Sequence, residues 1–193
     1  MIGEKNDLTS SGVPIGPLVS AFAQALGTAV EALSPAARGF AAQAQDDWSA
    51  EELPGLDIAD VARALADFWR FGESAKDLSE PAIRLVRAEG GETPSDLLEI
   101  VQSDRPFLVD SIMGEVAEAG FSVRAMFHPV SDCGGVRRSM IQIWLAPVGE
   151  DREAVLIQGV RDALSDVTLA VRDFEAMRGL MRRTIDELKG SDA

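Results

Sequence analysis

The sequence predicts an α+β fold, with an N-terminal helical segment followed by a sandwich of antiparallel strands and helices. Three observations predict it. Apolar residues recur at steps of three and four between Pro17 and Trp69, and again from Ile157 to Leu188. Strict apolar alternation occupies 121–127 and 140–145. From Ile83 onward the pattern reads strand, strand, helix, strand, strand, helix.

Residues 1–16 hold Gly, Ser and Pro without periodicity and read as a loose leader. A helix is expected from Pro17, whose missing N–H costs nothing in a first turn. Its apolar face is Leu18, Phe22, Leu26, Ala29, Val30 and Leu33, and Ser34-Pro35 ends or bends it. Helix continues over 36–45, and a short helical turn over 47–53 is closed by Pro54-Gly55. Asp57 is a good N-cap for a third helix that turns Ile58, Val61, Leu65, Phe68 and Trp69 to one side. The helical segment thus runs over 17–78, and Trp48, Phe68 and Trp69 are expected in a core.

The second unit is expected over 79–193. Ile83–Arg87 reads as a strand, Gly90–Ser95 as a turn and Leu97–Val101 as a more apolar strand. Asp104-Arg105-Pro106 opens a helix with Pro106 in its first turn, and Leu108, Ile112 and Val116 form its face. Gly120 ends that helix as a C′ glycine. Strands 121–127 and 140–145 flank a loop at 131–135, and Pro147 ends the second of them. The last stretch, about 151–189, is one long helix or two nearly collinear ones, with Arg178 the polar intruder in its apolar stripe.

Strand–helix–strand–strand–helix is the core of a ferredoxin-like sandwich, with helices on one face of a four-stranded antiparallel sheet. Its usual final strand is absent, and the strand at 83–87 takes that slot beside 97–101. The other sheet face would then show Ser122, Arg124, Met126, His128, Met140, Gln142 and Trp144. Leaving two methionines and a tryptophan in water is costly, at about 25 cal/mol per Å² of apolar area. The helices at 17–76 are expected to fold over that face.

Composition removes much chemistry. The chain has 193 residues, with 18 Lys+Arg against 32 Asp+Glu, for a net charge of −14. Such a chain repels phosphate, so neither nucleic acid nor an anionic membrane is expected as a partner. Its 46% hydrophobic and 26% charged residues suit a folded domain. One cysteine, Cys133, excludes an intrachain disulfide and fits a reducing cytoplasm. One cysteine and one histidine do not make a zinc site, and no metal is expected. The uncharged run 8–30 is broken by Pro14, Pro17 and several polar residues, so it reads as neither signal peptide nor membrane span.

No catalytic or cofactor-binding residue is legible. The glycines never form G-x-G-x-x-G or a P-loop, and no G-x-S-x-G accompanies the lone His128. The three lysines, Lys5, Lys76 and Lys189, sit near expected ends of elements. The best effector or interface candidate is the helix start carrying Asp104, Arg105, Phe107, Asp110 and Ser111. A helix N-terminus offers unpaired N–H groups and a positive dipole end to a carboxylate. The plainer alternative is that Asp104 caps the helix while Phe107 and Leu108 pack the core. His128 is an interface or pH-sensitive candidate, or a hydrogen-bonded structural histidine. Arg137 and Arg138 face another module's acids, or form a solvated hairpin base.

The octapeptide Asp104-Arg105-Pro106-Phe107-Leu108-Val109-Asp110-Ser111, followed by Gly120 and then His128-Pro129-Val130, resembles one family closely. It is similar to the amino-terminal region of the large bacterial NAD-dependent glutamate dehydrogenases, whose pattern there is D-x-P-F-L-V-D-S and then H-P-V. The stretch Val167–Met177 resembles that family's V-x-x-A-V-x-D-W-x-x-M, with Phe174 in the tryptophan's place. Trp48–Leu53 and Phe68-Trp69-Arg70-Phe71 also fit, so the resemblance covers about 45–180.

The resemblance implies a non-catalytic regulatory or architectural ACT-like domain, either a fragment or a stand-alone relative of a far larger polypeptide. The parent would oxidise L-glutamate to 2-oxoglutarate and ammonium with NAD, in a dehydrogenase region further along its chain. No cofactor is implied for this piece. Its implied partners are other domains of the parent chain, a second copy in a homo-oligomer, and an amino-acid effector. Amino-acid-binding ACT domains commonly carry a glycine after the proline of this loop. Phe107 stands there, and its ring could fill the ligand's volume. The alternative function is a free-standing ACT-type amino-acid sensor, and a small enzyme on the same scaffold is a third.

Overall fold

A computed structural model describes residues 16–48, 55–88, 93–133 and 135–191. The expected leader, most of the turn after Trp48 and the glycine pair at 90–91 lie outside the described residues. A central antiparallel sheet separates two helical layers, each with its own apolar core.

The first layer is α1 (Pro17–Leu26), a short 3-10 turn (Val30–Ala32), α2 (Pro35–Asp47) and α3 (Ile58–Ser74). Helix α1 stops earlier than its periodicity suggests. Gly27 takes a left-handed φ of 76° and its N–H closes on the carbonyls of Ala23 and Gln24. A glycine adopts that conformation without steric cost, so it terminates the helix within an apolar run. Ser34 then caps α2 by accepting from the Ala37 N–H at 3.1 Å. Asp57 caps α3 as expected, and with Asp60 it forms a reciprocal capping box. Phe40 gathers the layer. Its ring centroid lies 5.6 Å from Phe22, 6.0 Å from Phe68 and 5.2 Å from Trp69.

Among the described residues the sheet has five strands rather than four. They are β1 (Ala82–Arg87), β2 (Asp96–Ser103), β3 (Val123–Phe127), β4 (Val130–Cys133) and β5 (Val136–Leu145). The order is β1-β2-β5-β3, all antiparallel, and β4 also pairs with β5. The expected loop at 131–135 is therefore largely strand, and β5 starts four residues earlier than its alternation indicates. β3 and β4 form one edge interrupted at Pro129, which has no N–H to give. Helix α2 serves the interruption. The Gln43 side-chain amide donates to the Val130 carbonyl and accepts from the Val130 N–H, both at 2.9 Å, and Asp47 accepts from the His128 N–H at 3.2 Å.

Against the other sheet face lie α4 (Leu108–Glu118) and α5 (Glu150–Ser191). Gly120 follows α4 at a φ of 75°, as expected of a C′ glycine. The start of α4 differs from expectation. Pro106 lies before the helix, and Phe107 is its N-cap in the left-handed region at φ 68°. Helix α5 is one continuous element of 42 residues.

The helices of the first layer cover Met140, Gln142 and Trp144, which are all buried. Met126 is a correction. A register shift between Val123 and Ala125 turns Ala125 and Phe127 toward the first layer and Met126 toward α4 and α5. Arg124 sits at that shift and donates to the carbonyls of Thr93 and Pro94 and to the Ser95 hydroxyl.

Candidate functional site

The β2–α4 turn is built by the end of one ladder. The Asp104 N–H donates to the Arg137 carbonyl at 3.0 Å, and its carboxylate accepts from the Arg137 guanidinium at 3.0 and 3.1 Å. Asp104 therefore pairs across the sheet rather than capping α4. Arg105 reaches away to the Thr168 hydroxyl on α5 at 2.6 Å. Leu108 packs the core, but the Phe107 side chain is 65% exposed and does not. Phe107 holds a backbone conformation that favours glycine. For a bulky residue this is an outlier and costs about 1–2 kcal/mol.

Phe107 and Ser111 border an open groove between α4 and α5 of about 480 Å³. Glu115, Glu118 and Asp166 also line it, so its field is negative. Asp110 is exposed in the first turn of α4.

The remaining candidates lie elsewhere. Arg138 donates to the Gly72 carbonyl at the end of α3 at 2.8 Å. His128 Nε2 lies 2.7 Å from the Ser139 hydroxyl. Burial lowers the His128 pKa, and Asp104 and Asp47 oppose that shift. Of the eight residues singled out from sequence, the structure joins Asp104 to Arg137 and sets Phe107 beside Ser111. It does not gather the rest into one site.

A second constellation was not singled out from sequence as a site. Arg84, Glu99 and Gln142 stand in one register row across β1, β2 and β5, on the face beneath α3. Glu99 is fully buried. One of its oxygens accepts from Arg84 Nε at 2.5 Å and the other from Gln142 Nε2 at 2.8 Å. Gln142 in turn accepts from the Trp144 indole N–H at 3.2 Å. Arg84 continues to the Asp67 carboxylate on α3 at 2.7 Å, and its guanidinium lies 4.3 Å from the Phe71 ring centre. Burial raises the Glu99 pKa, with the Gln142 and Arg84 contacts opposing it. The available signal was one acid inside the apolar run Leu97-Leu98-Glu99-Ile100-Val101.

A cavity of about 280 Å³ adjoins Glu99, lined also by Asp60, Arg63, Asp67 and Arg87. These charges already pair. Arg63 bonds Asp60, Arg84 bonds Asp67 and Glu99, and Arg87 bonds Asp96. Among the described residues no group of three or more His, Cys, Asp or Glu converges to hold a metal. Nor do the residues present fit a dinucleotide. The described sheet is wholly antiparallel and offers no glycine-rich turn between parallel strands for a pyrophosphate. Lys76 is exposed in the loop after α3. No helix among the described residues is long and apolar enough to cross a membrane.

Comparison with known proteins bears on this geometry. Residues 40–147 match the family model described as "Glutamate dehydrogenase, ACT1 domain". The chain is 25% identical over 165 residues to the NAD-specific glutamate dehydrogenase of Halomonas elongata. That alignment covers 73% of this chain and 10% of the relative, so the chain spans only about a tenth of its length. No solved structure matches.

Proposed function

Because the chain belongs to the glutamate dehydrogenase ACT1 domain family, we propose that it is the non-catalytic N-terminal regulatory or architectural unit of an NAD-dependent glutamate dehydrogenase. The whole polypeptide would convert L-glutamate to 2-oxoglutarate and ammonium. NAD and the reacting groups would belong to the part of that polypeptide outside this chain. The observation that carries the reading is where the family match falls. It runs from within α2 through β5, and so takes in α3 of the helical layer together with the whole sheet.

We read the sandwich as ferredoxin-like, with β1 in the slot beside β2 that a final strand would occupy. Within the regulatory-or-architectural reading, the architectural role has specific support. An amino-acid carboxylate entering beside Phe107 would meet Glu115, Glu118 and Asp166, which oppose it. The row from Trp144 to Asp67, by contrast, ties the helical layer to the sheet.

The test is removal of residues 1–193 from the complete polypeptide. Assembly or effector response should change, while glutamate-dependent reduction of NAD persists. Loss of the chemistry with assembly intact would overturn the proposal. Calorimetric titration of the chain with the common amino acids separates the two roles, since heat of binding at the β2–α4 turn would favour sensing.

A further inference from the structure

Among the described residues, exposed large apolar side chains concentrate on the far half of α5, at Phe174, Met177, Leu180 and Met181. The near half leaves Val155 and Leu169 exposed, but its periodic stripe is core. Leu156, Val160, Leu164 and Val167 are buried against the sheet and α4. The same stripe continues through Val171, still packed on that core, and then past the sandwich through Phe174, Arg178 and Met181 at steps of three and four, and in the sequence through Ile185 and Leu188. The helix is 42 residues, about 63 Å at 1.5 Å per residue. About 20 of those residues lie beyond Val171, the last that packs on the sandwich, and in proteins most helical stability comes from packing an apolar face rather than from propensity.

Charge suits a second copy of the chain as the occupant. The chain as a whole carries 18 basic and 32 acidic residues. The stretch 172–189 carries five basic and four acidic ones, so here two copies can approach without mutual repulsion. Arg178 occupies a seam position and lies over the Phe174 ring, 5.9 Å from its centre. In a parallel pair the two Arg178 side chains would meet in one layer. In an antiparallel pair the alternation of steps sets Arg178 across from Met181 of the other copy, twice by symmetry. There the arginine stem can lie along apolar surface while its head reaches water. The same register sets Arg182 on the flank opposite position 175, a glutamate in the sequence.

We propose that the far half of α5 pairs antiparallel with the same segment of a second copy of this chain, with the two-fold axis passing between residues 179 and 180. The partner's helix end then reaches the Asp104–Phe107 turn, where Arg105 and Thr168 meet. The proposal does not depend on the family reading, so either can fail alone.

The test uses the 193-residue chain in sedimentation equilibrium and light scattering. A mass of twice 20.6 kDa is expected. Met181→Glu should return it to the single-chain mass, with tryptophan fluorescence and thermal unfolding of the sandwich unchanged. A single-chain mass for the unsubstituted protein at about 100 µM, or a dimer indifferent to Met181→Glu, would overturn the proposal. Orientation is read in a Cys133→Ser background. An Arg178→Cys chain mixed with a Met181→Cys chain should cross-link faster than either alone, and the reverse order would overturn the antiparallel arrangement.

Discussion

Arg84 and Glu99 stand opposite each other in the β1–β2 register, and their 2.5 Å contact holds a fully buried carboxylate beneath α3. The pair links strand to strand, and through Asp67 it links the sheet to the helical layer. What it contributes can be measured.

Glu99→Ala removes the acceptor of Arg84 and of Gln142 at once. A buried donor left without a partner costs about 1–3 kcal/mol, so a loss of about 2 kcal/mol is expected in urea unfolding. Glu99→Gln should read out the charge. Burial raises the folded-state pKa, so the contribution of the neutral carboxyl is full below the ordinary value of 4.5 and is lost as pH rises through the raised one. The unsubstituted chain should therefore lose stability relative to Glu99→Gln as pH rises above 4.5. A difference that stays flat, or grows in favour of the glutamate, would contradict the assignment.

His128 has the opposite sign. Burial lowers its pKa against the pull of Asp104 and Asp47, so folding favours the neutral ring. Its contribution is present above the ordinary 6.5 and is lost as pH falls through the lowered value. Relative to His128→Gln, the chain should lose stability on acidification from pH 7.5 to 5.5. Paired melting curves check this, and parallel curves for the two proteins would contradict it.

Phe107 tests the left-handed turn. Its ring is largely exposed, so removing it sacrifices little packing. Phe107→Gly should be more stable than Phe107→Val by about 1–2 kcal/mol, because a β-branched residue tolerates positive φ least. Equal stability of the two variants would contradict the turn geometry.

How much of this was legible follows the range of the interactions. The Asp57 cap and the Gly120 terminus are local, and each shows in a few residues. Gly27 is not legible because it lies inside an apolar periodicity that runs on to Ser34-Pro35. The start of α4 is hidden for a similar reason. Pro106 suits a first turn, and nothing local announces that Phe107 will take a left-handed conformation. Long-range pairing hid the rest. The register shift in β3 moved Met126 to the other face, and Pro129 split one edge into two strands. The Glu99 row exists only once three strands align. The octapeptide at 104–111 pointed to a family, but its side chains disperse toward Arg137, Thr168 and solvent.

The two layers should also prove inseparable. Residues 79–193 alone would expose Met140, Trp144 and Phe127, which the first layer now buries. That fragment should bind a hydrophobic dye and lack a cooperative melt. A fragment that unfolds cooperatively as a monomer would show that the helical layer is dispensable.

The central proposal is that this chain is a non-catalytic part of a glutamate dehydrogenase. The most direct measurement is glutamate-dependent formation of NADH, followed by absorbance, for the 193-residue chain and for the complete polypeptide side by side. The expected result is turnover by the complete polypeptide and none by the chain alone at any concentration. Turnover by the chain alone, abolished by substituting one of its own residues, would contradict the account.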